Sequence, residues 1–170
     1  MPRDFPLMSE NRRILSVVVL LLGLALALSA GAGADSTPPP TTSAGPASSP
    51  DEFAIVRAMN AVRAANGVPP LRVGPVLTRA ARAHSVDMIR RGYFEHGAFV
   101  QRLRRFGVRA PYIGENLASG TGPLGAATIV QMWIASLPHR QNLLDRGFRR
   151  VGVGVAGGAT RMVTADFAGR

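Results

Sequence analysis

Three side chains in the middle of the chain have the types that metal binding or acid–base chemistry requires, namely His96, Glu115 and His139. Glu115 lies in the stretch Tyr112–Ala118, whose other residues are mostly apolar or glycine. An ionised carboxylate rarely occupies such surroundings unless a cation, a metal or several donors hold it. The two histidines belong to no apolar periodicity. We therefore expect the fold to bring the three side chains together in one pocket.

Two neutral imidazoles and a carboxylate could hold Zn²⁺ or another divalent cation and leave a fourth position open. Such an ion could activate a water molecule or only hold a ligand. The chain lacks the helical His-Glu-x-x-His motif of many metallohydrolases. A third interpretation is that Glu115 joins the two histidines by hydrogen bonds without a metal. We assign no catalytic residue at this point; Glu115 and His139 are the candidates if the protein is an enzyme.

The composition narrows the class of protein. The formal net charge is +10, all 20 basic residues are arginines, and the chain contains no cysteine. The absence of cysteine excludes a disulfide scaffold, a lipid-modified N-terminal cysteine and a thiolate metal site. Any metal ligands must therefore be histidines and carboxylates.

The N-terminal region has the features of an export signal. Arg12 and Arg13 precede an apolar run over 14–30, and small residues follow it. We expect residues 1–34 to be a signal peptide cleaved after Ala34 or Ala32, and the alternative is an uncleaved membrane anchor. Residues 35–49 are rich in proline, serine and threonine and predict an extended linker. The folded domain would then span 50–170 and lie outside the cell, either secreted or anchored.

Within 50–170 the pattern of apolar residues and of glycine and proline predicts helices on the flanks of an antiparallel sheet, which is an α+β fold. Ser49 and Glu52 form the sequence pattern of a capping box. His84 lies on the apolar stripe of the second helix, where we expect a hydrogen-bonded core residue rather than a ligand. The predicted elements are helices over 50–66, 75–91, 99–106 and 123–136, a short β-prone stretch at 112–113, a helical turn at 142–144, and a hairpin of 151–155 with 162–167.

Several separated motifs resemble one known family in content and in order. They are Met59-Asn60-x-x-Arg63, Ala83-His84-Ser85-x-x-Met88, Gly92-Tyr93-Phe94-x-His96, Gly114-Glu115-Asn116-Leu117-Ala118, Trp133-x-x-Ser136-x-x-His139-Arg140-x-Asn142-Leu143-Leu144 and Val151-Gly152-Val153-Gly154-Val155. Together they resemble the CAP superfamily of cysteine-rich secretory proteins, antigen 5 and plant pathogenesis-related class 1 proteins, in its bacterial secreted branch. The resemblance extends over residues 53–168.

The resemblance implies a three-layer α-β-α sandwich with a cleft that contains His96, Glu115 and His139, and we place Asn116 and Ser136 in the same cleft. In animal and plant members a second glutamate follows the tryptophan of the fourth helix, and here Ser136 occupies the equivalent place. The four-residue metal site of those members therefore does not transfer, whereas His96, His139 and Glu115 remain as metal ligands. The family also implies a small ligand such as a lipid or sterol.

Three functions remain open from the sequence. The first is a secreted, monomeric module that binds a small ligand in the cleft, with or without a divalent ion. The second is a hydrolase that acts on cell-envelope or peptide substrates through a metal-bound or Glu115-activated water. The third is an adhesion module for anionic membranes or wall polymers, based on the arginines over 90–109. We do not expect a nucleic acid as partner.

Overall fold

The computed structural model describes residues 49–122 and 124–170. The predicted signal peptide and nearly all of the predicted linker lie outside the described residues, as does Pro123. The elements are α1 (Pro50–Ala65), β1 (Arg72–Val73), α2 (Pro75–Arg91), α3 (Phe99–Arg105), β2 (Tyr112–Thr121), α4 (Ala126–Ala135), α5 (Leu137–Leu144), β3 (Phe148–Gly157) and β4 (Thr160–Gly169). No helix in these described ranges combines the length and the apolar character that crossing a bilayer would require.

The four strands form one sheet in the order β1-β3-β4-β2, in which β1 runs parallel to β3 and the other pairs are antiparallel. Helices α1, α4 and α5 cover one face, and α2 with α3 covers the other. Each face of the sheet has its own apolar core. Trp133 belongs to the core under α1, α4 and α5, and Leu77 belongs to the core under α2 and α3. The domain is the three-layer α-β-α sandwich that the resemblance implied.

Helix α1 begins as its sequence predicted. The Ser49 main-chain N–H donates to Glu52 Oε2 at 2.7 Å, and the Ser49 hydroxyl accepts from the Glu52 main-chain N–H at 3.3 Å. These reciprocal bonds satisfy donors that the first turn of a helix leaves free. The capping box is therefore confirmed.

Near its other end, α1 is joined to the remaining domain by Arg63, whose side chain is fully buried. Its guanidinium donates to the main-chain oxygens of Pro69, Leu143, Asp145 and Phe148 at 2.7 to 3.3 Å. Burial lowers the pKa of Arg63 from its usual value. A guanidinium has five N–H donors, so a single side chain can satisfy carbonyls from three separate segments.

The glycines of β3 allow α2 to lie directly on the sheet. A Cβ atom at Gly152 would be 2.0 Å from the Thr78 main-chain nitrogen, and one at Gly154 would be 2.2 Å from that of Arg82. No side chain larger than hydrogen fits at these positions unless α2 moves. The sequence analysis predicted close packing against this glycine face, and the structure identifies α2 as the packing element.

Several predicted elements were wrong in extent. The hairpin strands β3 (Phe148–Gly157) and β4 (Thr160–Gly169) are both longer than the predicted 151–155 and 162–167. Strand β2 covers ten residues instead of two because it pairs with β4 over its whole length. The hydrogen bonds of this ladder stabilise residues whose own β propensity is low. His139 lies inside helix α5 rather than beyond a helix end. Pro138 suggested a helix break, but proline is tolerated in a first helical turn, and here it lies in the first turn of α5, which begins at Leu137.

Candidate ligand cleft

Glu115 lies at the centre of the site and is almost completely buried, with 5% of its surface exposed. It is part of β2, where the adjacent main chain is fixed by the ladder with β4. Its Oε1 is 2.8 Å from His96 Nδ1, and its Oε2 accepts a hydrogen bond from the Arg102 guanidinium. Both carboxylate oxygens therefore have a partner from the segment between α2 and β2.

Asp166 is the cross-strand partner of Glu115 and is fully buried. Its Oδ1 lies 3.2 Å from the same guanidinium nitrogen of Arg102. Two carboxyl groups directly opposite on neighbouring strands repel each other when both are ionised. Arg102, whose side chain is 14% exposed, reaches in from α3 and compensates this repulsion.

The buried carboxyl groups have perturbed acidities. Burial raises the pKa of Glu115 to about 7, although the charge of Arg102 opposes the shift. Burial and the neighbouring Glu115 raise the pKa of Asp166 well above its usual value. The two groups titrate as a pair. Near neutral pH the pair resists its second ionisation, because Arg102 supplies only one positive charge.

The two cleft histidines are partly accessible. His96 follows α2 in a loop and has a side chain that is 50% exposed. His139 is partly buried in the first turn of α5, and its imidazole makes no hydrogen bond to any described residue. Burial lowers the pKa of both; the charge of Arg102 lowers that of His96 further, and a charge on His96 lowers that of His139. Both imidazoles therefore favour the neutral form at pH 7.

Two asparagines connect the two sides of the cleft. The Asn116 side-chain amide donates to the His139 main-chain oxygen at 2.9 Å. The Asn142 amide donates to the Glu115 main-chain oxygen at 3.1 Å and to Asn116 Oδ1 at 3.0 Å. Because Asn116 is fully buried, it positions α5 against β2 and does not offer an atom to a ligand.

Ser136 separates α4 from α5 and is half-buried at the N-cap position of α5. Its hydroxyl makes no capping hydrogen bond, while its main-chain oxygen accepts from the Arg140 N–H at 2.8 Å. No hydrogen bond links Ser136 to Glu115, His96 or the His139 side chain in the described part of the chain. The structure thus joins His96 directly to Glu115 and links His139 to β2 through its main-chain oxygen and Asn116, while Ser136 lies one turn before His139.

The donor set bears on the question of a metal. Residues 49–122 and 124–170 contain no group of three or more histidine, aspartate or glutamate side chains arranged to hold a metal ion. Glu115 already binds His96 and Arg102 with its two oxygens. Its contact with His96 Nδ1 leaves Nε2 of that ring without a partner in the described residues. The nitrogen atoms that could hold a metal ion are therefore Nε2 of His96, whose ring Glu115 orients, and the imidazole nitrogens of His139.

Arg102 and Asp166 were not singled out from sequence as cleft residues. Arg102 was grouped with the exposed arginines over 90–109, and this was wrong because its guanidinium is buried between two carboxyl groups. A signal was present, since Arg102 follows Phe99 by three residues and precedes Phe106 by four, next to the apolar face of α3. Asp166 gave the same signal as Glu115, an acid within an apolar β run.

His84 lies next to the cleft but belongs to the core, as predicted. Its Nε2 is 2.9 Å from the Glu95 main-chain oxygen, and burial lowers its pKa to about 4. A cavity of about 580 Å³ opens beside it and is lined in part by Tyr93 and Arg102. Arg102 therefore forms part of the wall of this cavity while its guanidinium binds the carboxyl pair.

The three layers, together with the imidazole–carboxylate cluster of His96, Glu115 and Arg102, define one class of sandwich domain. The chain belongs to the CAP family, described as the cysteine-rich secretory protein family, whose model matches residues 56–167. The match includes every cleft residue described above.

Similar proteins occur in bacteria. The Bacillus subtilis (strain 168) protein YkwD is 35% identical over 119 residues, which cover 67% of this chain and 46% of YkwD. The Bacillus subtilis membrane protein YlbC is 32% identical over 109 residues, covering 61% of this chain and 31% of YlbC. This chain therefore matches less than half the length of each of these relatives.

Solved structures share the fold. An extracellular protein containing a SCP domain from Bacillus anthracis has a TM-score of 0.65 and 28% identity, over 75% of this chain and 45% of that one. An outer surface protein from Borrelia burgdorferi has a TM-score of 0.65 and 17% identity, over 71% of this chain and 92% of that one. The chain thus fits the bacterial SCP-like branch, which has members outside the cell.

Proposed function

We propose that this protein is an exported ligand-binding module whose cleft holds a divalent cation, such as Zn²⁺, between His96 and His139. The observation that carries the proposal is the 2.8 Å contact between His96 Nδ1 and Glu115 Oε1. A carboxylate on one ring nitrogen fixes the tautomer and the orientation of an imidazole, and raises the basicity of the other nitrogen. Nε2 of His96 would then be the metal-binding atom.

The protonation state of the two histidines supports this assignment. Their pKa values are lowered, so both imidazoles are neutral at pH 7, which is the form that binds metal. Arg102 offsets the charge of the carboxyl pair, and its guanidinium lies where a cation would otherwise bind Glu115 directly. A bound ion would keep open positions, where an oxygen or nitrogen atom of a small ligand could bind.

Calorimetric titration with Zn²⁺ tests the ion, using protein purified without a histidine tag. We expect binding by the wild type and none by the His96→Ala/His139→Ala variant. Glu115→Gln should bind about 10- to 100-fold more weakly, which is the usual cost of losing such an orienting partner. Glu95→Gln, which changes an exposed glutamate next to His96, is the matched control and should bind as the wild type does. Equal affinity in the wild type and the double histidine variant would refute the metal site.

A small lipid or sterol is the ligand class that we propose for the cleft, following the family. Trp133 provides a readout because its indole N–H donates to the Leu117 main-chain oxygen at 2.8 Å, two residues along β2 from Glu115. Ligand entry that displaces β2 should change the fluorescence of this sole tryptophan. We expect a saturable change that the His96→Ala/His139→Ala variant loses. A response that is the same in that variant would place the ligand elsewhere.

Export is the third part of the proposal. The similar proteins from Bacillus anthracis and Borrelia burgdorferi are described as extracellular and as an outer surface protein. We expect mature protein in the culture medium with an N-terminus at Asp35, or at Gly33 if cleavage follows Ala32. A full-length chain retained in the membrane fraction would instead support the anchored alternative.

A hydrolase is the second candidate, and the acidity of Glu115 favours it. A carboxyl group with a pKa of about 7 suits a general base at neutral pH. Glu115 would have to release His96 or Arg102 before it could accept a proton from water. The candidate predicts turnover of envelope or peptide substrates that chelators inhibit and that Glu115→Gln abolishes. Turnover that survives Glu115→Gln would exclude this mechanism.

A further inference from the structure

A second candidate site lies at the end of the sheet where β3 begins and β4 ends. Two cavities of about 450 Å³ and 570 Å³ share the residues Arg150 and 168–170 in their walls. We call them together the arginine groove. It is lined by Arg72, Arg109, Arg149, Arg150 and Arg170. None of the cleft residues described above contributes to it.

The side chains that line the arginine groove include five positive charges and no negative one. No aspartate or glutamate side chain lines either cavity. All five arginines are exposed, and within the described ranges none of them forms an ion pair. Only two of their side chains make hydrogen bonds there, Arg109 to the Arg104 oxygen and Arg149 to the Arg146 oxygen. The guanidinium groups are therefore available to an external anion.

The register of the sheet sets two of these charges side by side. Arg72 of β1 is the direct partner of Arg150 of β3, and alternation along the strands turns both side chains to the face that α2 covers. Like charges in directly paired positions destabilise a sheet. Neither arginine forms an ion pair within the described ranges that would offset this repulsion, whereas a bound anion would offset it.

The shape of the groove indicates what kind of anion fits. Arg109 lies on the first cavity, Arg150 on the wall that both share, and Arg72 with Arg149 on the second. The lining of the first cavity also includes the apolar residues Val76, Leu77 and Val108. A lining that combines several cationic side chains with apolar residues matches a polymer that carries both anionic groups and uncharged units.

We propose that the arginine groove binds a linear envelope polymer of polyol units joined by phosphodiesters. Guanidinium groups bind phosphate oxygens in bidentate geometry. The C–H faces of the polyol units would pack on the apolar residues of the first cavity. The site is independent of the proposed cation site, since the two share no residue.

Binding of purified poly(glycerol phosphate) to the full chain tests the proposal, with fluorescence anisotropy of labelled polymer as the readout. We expect Arg72→Gln/Arg150→Gln to weaken binding roughly tenfold or more, since two charge-assisted contacts are lost. The matched control is Arg57→Gln/Arg90→Gln, which removes the same charge from exposed helical positions outside the groove. It should bind within about twofold of the wild type. Circular dichroism of each variant checks that the fold is retained.

The other arms identify the source of the anion. Inorganic phosphate, vesicles with anionic lipid and a DNA oligonucleotide of matched charge should all bind more weakly than the polymer. His96→Ala/His139→Ala should leave polymer binding unchanged, which separates this site from the cleft. Equal loss in the groove and control variants would show that net charge alone attracts the polymer and would overturn the proposal. Preference for vesicles or DNA would overturn it as well, as would an absence of polymer binding.

Discussion

A single guanidinium determines whether two buried acids are tolerated in this domain. Arg102 contacts both Glu115 and Asp166, which face each other on adjacent strands and are almost inaccessible to water. Removing one partner of a buried ion pair costs far more than the pair itself contributes, because the remaining charge stays desolvated. We therefore expect Arg102 to contribute strongly to the stability of the domain, although it belongs to a short surface helix.

We expect Arg102→Gln to lower the free energy of unfolding by about 3–5 kcal/mol at mildly alkaline pH. The raised pKa of Glu115 and Asp166 gives the sign of the pH dependence. A carboxyl group whose folded pKa is raised stabilises the fold below its unfolded pKa and loses that contribution as pH rises through the folded value. Without Arg102 both folded values rise further, so the loss should be largest above pH 7 and small near pH 5.

Urea denaturation at several pH values measures this difference. Arg105→Gln is the matched control, since it removes the same charge from an exposed position on α3 and should change stability by less than about 0.5 kcal/mol. An Arg102→Gln loss that is equal at pH 5 and above pH 7 would contradict the role assigned to the carboxyl pair.

Sequence reasoning at the residue scale succeeded where a side chain was anomalous for its segment. Glu115 among apolar residues and His96 outside any periodicity were both visible in the chain, and the structure brings them within 2.8 Å. The role of Arg102 could not be predicted, because several arginines on one short helix usually indicate a face exposed to solvent. Its role depends on which side of α3 packs against the sheet, and the tertiary structure determines this.

At the scale of elements, the contact between α2 and β3 controls the distance between two layers. Helix and strand approach so closely at Gly152 and Gly154 that a methyl group would overlap the α2 backbone. Backbone atoms cannot yield as a flexible side chain can, so relief requires moving α2 as a unit. The same helix carries His84, and its end leads into the loop of His96.

Gly154→Ala should therefore lower the free energy of unfolding by about 3 kcal/mol, at the upper end of typical overpacking costs. Gly158→Ala, in the β3–β4 turn, is the control because a Cβ there meets no atom within 4 Å. Its effect should stay within about 0.5 kcal/mol. Thermal and urea unfolding of both variants test the comparison, and equal stability of the two would show that α2 shifts without cost.

The predicted elements agree with the structure where the residues that begin and end an element lie within its own segment of sequence. Helix α2 matches its predicted bounds, since Pro75 begins it and Gly92 ends it with a left-handed conformation. Strand β2 and helix α5 were misjudged because their extents depend on partners distant in sequence. For β2 the partner is β4, and for α5 it is the asparagine contacts with β2.

At the scale of the whole molecule, net charge opposes compaction. The chain has 20 basic and 10 acidic residues, and several acids are already committed to ion pairs. The surplus positive charges repel one another more strongly in the folded state than in the expanded unfolded chain. The arginine groove concentrates part of this repulsion.

Raising the ionic strength from about 0.01 M to about 0.15 M should increase the free energy of unfolding by on the order of 1 kcal/mol, because salt screens the repulsion. Urea denaturation at both ionic strengths measures the change. Sodium chloride and choline chloride should act equally if screening is the cause. A decrease in stability with salt would mean that the favourable ion pairs outweigh the net repulsion.

The three-layer arrangement could be predicted at this scale because family motifs occur along the chain in a recognisable order. The alternation of helices and strands alone indicated only an α+β fold. The contacts of Arg102 with the buried carboxyl groups could be predicted only from the packing of α3 on the sheet. The pairing of Arg72 with Arg150 could be predicted only from the strand register.

The connections made by Arg63 have a consequence for where this domain can fold. One side chain holds α1, the segment after it, the end of α5 and the start of β3 together through hydrogen bonds, in a chain without cysteine. Unlike disulfides, these hydrogen bonds form without an oxidant and are not broken by thiol reductants. The native state is therefore the same in a reducing cytoplasm as in an oxidising exterior, and its formation requires no disulfide isomerase on either side of the membrane.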